Sequence, residues 1–484
     1  MAKTGIGGLD DILHGGLTPH RLYLLEGEPG SGKTTLALQY LMEGRRDGEK
    51  GLYLTLSETA EELAANAGSH GWSLEGIDVV EIGLRDGQLD AENTITMFNP
   101  SEVELGETIQ SVLAAVERVN PSRVVFDSLS EMRLLAQNSL RYRRQIMALK
   151  QFFVGRECTV LLLEDGTTEA PDPQLQSIAH GVITLAQLSP DYGGERRRLR
   201  VTKFRGGSFR GGYHDFVIVR GGLKVFPRLV SAEHRQAISL EPIKSGVDSI
   251  DAMLGGGPDR GTSTLFVGPA GSGKSTMAIQ YTVAAARRGE HCAVFAFDES
   301  TRTLAIRSKA LGLEYTEGNG PGQIAVRQVD PAELSPGEFV HLVREAVEVR
   351  QARVVVIDSL NGYLNAMPQE RHLSAQLHEL LAYLGEQGVC TIMVVAQHGM
   401  IGQGVESPVD TSYLADCVVF FRFFEFQGEV RRAVSVLKKR SGKHEHSIRE
   451  LKTGTKGLEL SAPLTNFQGV LTGVPVMMEK PSLG

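Results

Sequence analysis

The 484-residue chain has only four cysteines, Cys158, Cys292, Cys390 and Cys417, and no two of them form a C-x-x-C pair. That scatter excludes the usual sequence forms of a zinc site or a disulfide frame, and predicts reduced core thiols in a cytosolic protein. No apolar run reaches the roughly 18 residues of a membrane span. The first residues lack the apolar core of a secretory leader, so a cytoplasmic location away from the membrane is expected. Low-complexity sequence is absent. So is a basic excess: the net charge is −8 and the sequence pI about 6.0. That balance argues against a dedicated nucleic-acid surface, although a local basic channel is compatible with it. The apolar share of 41% and charged share of 22% are ordinary for folded chains. The length predicts roughly two to four domains, each able to bury a core.

What is present is a phosphate loop, written twice. Gly27-Glu28-Pro29-Gly30-Ser31-Gly32-Lys33-Thr34 and Gly268-Pro269-Ala270-Gly271-Ser272-Gly273-Lys274-Ser275 both read G-x-x-x-x-G-K-[ST]. Each follows a β-rich run (Leu22 to Glu26; Thr264 to Val267) and opens an apolar-periodic segment (Leu36 to Met42; Met277 to Val283). Strand, loop and helix in that order are what this motif requires. Its glycines let successive N–H groups point inward as an anion nest, and the helix N-terminus adds partial positive charge. The expected ATP-binding residues are Gly30, Ser31, Gly32, Lys33, Thr34 and Thr35 in one copy. In the other they are Gly271, Ser272, Gly273, Lys274, Ser275 and Thr276. Lys33 and Lys274 would reach the β- and γ-phosphates, and the Thr34 and Ser275 hydroxyls would ligate Mg²⁺. One such match could be a chance glycine-rich turn; two in matching context are not.

The repeat extends beyond the loops. Thr4 to Leu13 is echoed by Ser245 to Leu254, and Gly51 to Glu58 by Cys292 to Glu299, at the same 241-residue offset that separates Lys33 from Lys274. Apolar runs ending in acid follow in each half, Val124 to Asp127 and Val354 to Asp358, and further apolar strands at Thr159 to Leu163 and Thr391 to Val395. Continuous apolar strands alternating with helices predict an α/β fold with a mostly parallel sheet covered on both faces. Each half closes with hairpin material, Arg198 to Phe204 with Asp215 to Val219, and Ala433 to Lys439 with Ser447 to Leu451. The expected organisation is a first domain at 1–230, a linker at 231–242, a second domain at 243–462 and an extended tail at 463–484.

Transfer of a γ-phosphate needs a carboxylate on the attacking oxygen and a metal to neutralise charge. Asp127 and Asp358, at strand ends beside the loops, fit the Mg²⁺ role. Glu58 and Glu299 fit the base role, because parallel strands bring their carboxyl ends to one edge. A lone acid at a strand end is as often a helix cap; the doubled register favours function. Lys203 and Arg205, and Lys438 and Arg440, occupy equivalent late-hairpin positions in an x-K-x-R pattern. In a ring of such domains they could reach the neighbouring subunit's ATP as an arginine finger does. The bland reading is a charged edge strand that resists aggregation.

The tandem combination of G-[IV]-x-x-[LI]-D, phosphate loop, post-strand acid, Asp-Ser strand end and late K-x-R resembles the KaiC family, double RecA-like ATPases and autokinases of bacterial clocks. The likeness runs from Gly5 to about Leu460. It implies two RecA-like P-loop domains, a homohexamer with ATP and Mg²⁺ between neighbours, ATP hydrolysis in the first domain and Ser/Thr autophosphorylation in the second. A KaiB-like protein partner belongs to the same implication. Two adjacent glutamates typical of the family read Ser57-Glu58 and Asp298-Glu299 here. The first position is the one credited with base catalysis, so Asp298 joins Glu299 as a catalytic residue, and Glu58 would serve alone. Thr411 to Val419 matches the phosphoacceptor segment, with Ser412 on the first acceptor and Tyr413 replacing the second. The tail lacks the extension offered to KaiA, so dependence on that partner is not expected. A nucleic-acid-dependent ATPase of the RecA or helicase type shares every ATP motif and is the alternative; a ring in which ATP is mainly structural glue is a third.

Overall fold

The computed structural model describes the chain except for residues 83–99, 137, 167–172, 191, 237–240, 366–371, 398–412, 456, 473–475 and 478–484. It divides into two compact units, Met1–Arg228 and Leu229–Gly484.

The first unit runs α1 (Gly7–Ile12), β1 (Leu22–Gly27), α2 (Lys33–Arg46), β2 (Gly51–Thr55), α3 (Ala60–Ser69), β3 (Ile77–Glu81), α4 (Pro100–Val119), β4 (Arg123–Asp127), α5 (Leu129–Ala136), α6 (Ser139–Phe153), β5 (Thr159–Asp165), α7 (Pro173–Ile178), β6 (Gly181–Leu188), β7 (Arg196–Phe204), β8 (Tyr213–Val219) and β9 (Gly222–Phe226). Its nine strands form one sheet in the order β3-β2-β4-β5-β1-β6-β7-β8-β9. From β3 to β6 the neighbours are parallel; from β6 to β9 they are antiparallel. Strands β1, β2 and β4 are buried at every residue, because helices cover both faces of a parallel sheet. Tyr23, Leu25, Tyr53 and Val125 face α2, while Leu24, Leu54, Phe126 and Leu162 face the helices after β3. Local signals agree with this layering: Thr59 and Glu62 close a reciprocal capping box at the start of α3.

The second unit repeats the plan as α8 (Asp248–Met253), β10 (Ser263–Gly268), α9 (Lys274–Arg287), β11 (His291–Ala296), α10 (Thr301–Ala310), β12 (Ile324–Gln328), α11 (Pro336–Glu348), β13 (Ala352–Asp358), α12 (Leu360–Asn365), α13 (Leu373–Glu386), β14 (Cys390–Ala396), β15 (Cys417–Phe426), β16 (Glu429–Lys439), β17 (Arg449–Gly454) and β18 (Gly457–Pro463). The sheet order, β12-β11-β13-β14-β10-β15-β16-β17-β18, is the first unit's order over again. All four cysteines are buried and free of disulfides.

Three features add detail to the sequence expectation. The late hairpins form as expected, β7 with β8 and β16 with β17, and they also extend the main sheet, because β7 pairs along its length with β6, and β16 with β15. The connector after Arg228 is docked rather than free. Leu229 lies in the second unit's core, the Ser231 N–H and hydroxyl both donate to Glu379 at 3.1 Å, and the His234 ring packs edge-on against Tyr383. Past Pro463 the chain folds back, because three aromatic rings can pack together by doing so. Phe467 packs on Phe424 and Phe426, Val470 is buried, and β19 (Phe467–Gln468) pairs with β20 (Val476–Met477).

Candidate functional site

Each phosphate loop begins where its central strand ends, at the carboxyl edge of the sheet. Gly30 and Gly32 take φ of 79° and 101°, and Gly271 and Gly273 take 77° and 103°. Those angles are open to glycine and strained for other residues. A Cβ on Gly32 would meet the Ile218 terminal methyl at 2.8 Å, and one on Gly273 a Leu451 methyl at 2.7 Å, so a side chain there would have to push these sheet residues aside. Ser31 and Ser272 are buried inside the loops, and Thr35 and Thr276 in the first turn of the helix behind.

The lysines fold back over their loops. Lys33 Nζ donates to the carbonyls of Gly27 and Glu28 at 2.7 and 2.9 Å and pairs with Asp165 at 2.8 Å. Lys274 Nζ donates to Pro269 O at 2.6 Å. Burial pushes the Lys274 ammonium down to about 8, against a smaller opposing pull from Asp358. Phosphates bind the charged form, so nucleotide affinity at the second loop should be full below pH 8. It should fall as pH rises through 8, approaching about tenfold per unit. Titrating ATP into the Lys33→Ala chain at pH 7 and 9.5 checks this; equal affinities would refute it.

The acids gather at the same edge. Leu56 N–H donates to Asp127 O at 2.7 Å and Phe297 N–H to Asp358 O at 2.6 Å. These bonds bring the ends of β2 and β11 beside those of β4 and β13. Glu58 is half-buried, and its carboxyl is raised above the usual range, first by burial and then by Asp127, Glu62 and Asp165. Burial also raises Asp127, against a hydrogen bond from Tyr53, whose hydroxyl donates to Asp127. Asp358 is raised by burial, against a hydrogen bond from Ser275. A hydroxyl and a carboxylate in contact beside the loop make the hard oxygen pair that Mg²⁺ prefers, so the residues fit the ion. The first unit has the same pair, Thr34 and Asp127, with the Tyr53 hydroxyl hydrogen-bonded to both.

The two members of the second unit's acid pair are not equivalent. Glu299 is held by Arg307 at 2.7 Å, and Arg307 also donates to Thr276 at 3.2 Å. Asp298 is exposed and accepts from the Ser359 hydroxyl. Arg307 and Arg432 further line a pocket of about 320 Å³ with Gly271, Lys274, Ser275 and Thr453. Asp165, Tyr53, Arg307 and Arg432 were not singled out from sequence. No local sequence pattern marks these residues; Asp165, for one, is placed only by the register of β5 with β1.

The K-x-R cations stand elsewhere. Tyr23 pairs with Gly181, and Gly181 with Phe204, so Lys203 and Arg205 lie at the amino edge of the sheet. At about 3.3 Å per residue along β1, they are roughly 15–20 Å from their own phosphate loop. Lys203 Nζ donates to Gln176 O at 2.6 Å and Ser177 O at 3.0 Å, and Arg205 to Ser177 O at 3.1 Å. Arg205 borders a cleft of about 290 Å³ with Arg21, Lys150, Arg156 and two histidines. Cys417 faces Lys439 in the same way. Lys438 donates to Ala415 O at 2.8 Å, and Arg440 to Tyr413 O at 3.2 Å, with Asp416 at 3.5 Å. Ser412 lies outside the described residues. Among those described, no helix is long and apolar enough to cross a membrane.

Comparison with known proteins adds a family. The model of the KaiC ATPase domain matches residues 2–230 and again 243–464. The circadian clock protein KaiC3 of Synechocystis sp. is 25% identical, over 98% of this chain and 94% of its own. The circadian clock oscillator proteins KaiC of Picosynechococcus sp. and Synechococcus elongatus are also 25% identical over 98% of this chain, and over 92% and 91% of theirs.

Proposed function

The chain belongs to the KaiC family of ATPases, and from that premise we propose that it is a cytoplasmic, ring-forming clock-type ATPase, a hexamer, whose second domain also phosphorylates Ser412. The observation that carries the reading is the division of labour across each sheet. The phosphate loop and acids occupy the carboxyl edge, and the K-x-R cations the amino edge. A cation roughly 15–20 Å away cannot serve its own loop. It can serve the loop of an adjoining subunit, so ATP is bound in cis by Gly30 to Thr35 or Gly271 to Thr276. Lys203 and Arg205, or Lys438 and Arg440, complete the site from the neighbour. A KaiB-like protein is the partner class that the family suggests.

In the first domain the attacking group is water. Its oxygen bonds to the γ-phosphorus as the bond to the β–γ bridging oxygen breaks, ADP takes the electron pair, and Glu58 takes the water's proton. A base whose pKa is raised toward neutrality suits that work. Thr34 and Asp127, and Ser275 and Asp358, would hold Mg²⁺, which supplies charge neutralisation on the phosphates. In the second domain the Ser412 hydroxyl replaces water. Asp298 receives its proton, because Glu299 is committed to Arg307. In sequence Ser412 immediately precedes Tyr413, whose carbonyl accepts from Arg440, one of the cations proposed to face the neighbour's γ-phosphate. Tyr413 is exposed but its rigid ring carries the hydroxyl several ångströms farther out, which predicts one principal phosphosite.

Incubation with Mg·ATP and phosphopeptide mapping tests the kinase. Phosphate on Ser412 is expected in the native chain and in Lys33→Ala, and none in Lys274→Ala. No phosphate between Ser407 and Asp416 after prolonged incubation would leave an ATPase ring without autokinase activity.

A further inference from the structure

The strand between the two phosphate-handling strands ends differently in the two halves, and the difference is a carboxylate. In the first unit β5 lies between β1 and β4, and its last residue, Asp165, is in register with Gly27. The backbone there is pinned on both sides. Asp165 N–H donates to Ser130 Oγ at 2.9 Å, and Gly166 N–H to Gly27 O at 2.8 Å. The side chain thereby falls 2.8 Å from Lys33 Nζ. It is within electrostatic reach of both Asp127 and Glu58.

In the second unit the same register position, opposite Gly268, is Ala396, its N–H held by Asn361 at 2.8 Å. That unit has its extra carboxylate on another strand end: Asp298 stands where the first unit has Ser57. Among the described residues, each half can therefore be compared at three strand-end carboxylates. Two are shared in position, Glu58 with Glu299 and Asp127 with Asp358. The third has changed strands.

We propose that Asp165 is a further catalytic carboxylate of the first domain, holding the attacking water together with Glu58. Lys33 must reach the β- and γ-phosphate oxygens, so a carboxylate beside its ammonium borders the place of the γ-phosphate. Water attacks the γ-phosphorus while the bond to the β–γ bridging oxygen breaks and ADP leaves with the electron pair. One water proton passes to Glu58; Asp165 accepts a hydrogen bond from the other O–H. The inference rests on the reading that the first domain hydrolyses ATP.

The test uses the full chain carrying Lys274→Ala, so that turnover reports the first domain alone. Adding Asp165→Asn should lower kcat about 10–100-fold, with the KM for ATP and the directly titrated ATP affinity within about threefold. Adding Ser57→Asp to that variant should recover at least about tenfold, because it recreates the second unit's arrangement. Unchanged kcat would overturn the assignment and leave Asp165 as a resting partner for Lys33. A lost kcat that Ser57→Asp does not recover would also overturn it, marking a structural strut. Absence of turnover in the Lys274→Ala parent would sink the hydrolysis reading itself, and this inference with it.

Discussion

A chain carrying both Lys33→Ala and Lys274→Ala should run at subunit size, bind ATP far more weakly and lose most of its turnover. Each lysine is buried behind its loop and poised by backbone carbonyls, so it is the loop's one mobile positive charge. Losing such a donor to a developing phosphate charge costs about 10²–10³ in rate per site. The structural effect should be larger than the kinetic one. ATP is the group that both sheet edges grip, the loop from one subunit and the K-x-R cations from the next. Without it the cations keep just the contacts they make within their own subunit. Light scattering with and without ATP checks the outcome. A hexamer-sized particle that persists in the double variant without nucleotide would refute ATP as the joint.

The second large effect is expected at Glu58. In the full Lys274→Ala chain, Glu58→Gln should leave ATP affinity nearly unchanged and cut turnover by about 10²–10⁴-fold, the range of general-base contributions. Glutamine keeps the size and hydrogen-bonding capacity while removing the charge. Burial and three neighbouring acids hold the native carboxyl above its usual range. The activity should therefore decline as pH falls through that raised value, and the variant should lose this acid limb. Equal turnover with and without the substitution would show that another group takes the proton.

Duplication made most of this site legible in the sequence. Lys33 and Lys274, Glu58 and Glu299, and the two loops recur at one offset, and the strands that carry them are continuous apolar runs. Residues that occur in one half only had no such echo. Ala396 holds the register position equivalent to Asp165, Tyr53 has Val294 at the matching offset, and Arg307 has Asn66. Their importance comes from neighbours far away in the chain. Asp165 meets Lys33 only because β5 is inserted between β4 and β1, and strand order is not written in any local pattern. The docked connector escaped for the same reason. Ser231 reads as a polar linker residue until Glu379, on α13, is brought against it.

The four buried cysteines have a practical bearing on following this molecule at work. Burial pushes the Cys158 thiol up to about 11 and those of Cys292, Cys390 and Cys417 to about 12. Thiolate is the reactive form, so maleimide dyes and spin labels have no native address while the chain stays folded. A single surface thiol, such as Tyr413→Cys at an exposed position, would therefore be a unique attachment point one residue from Ser412. A fluorophore there would report environment changes beside the phosphoacceptor in real time, without first removing any cysteine from the core.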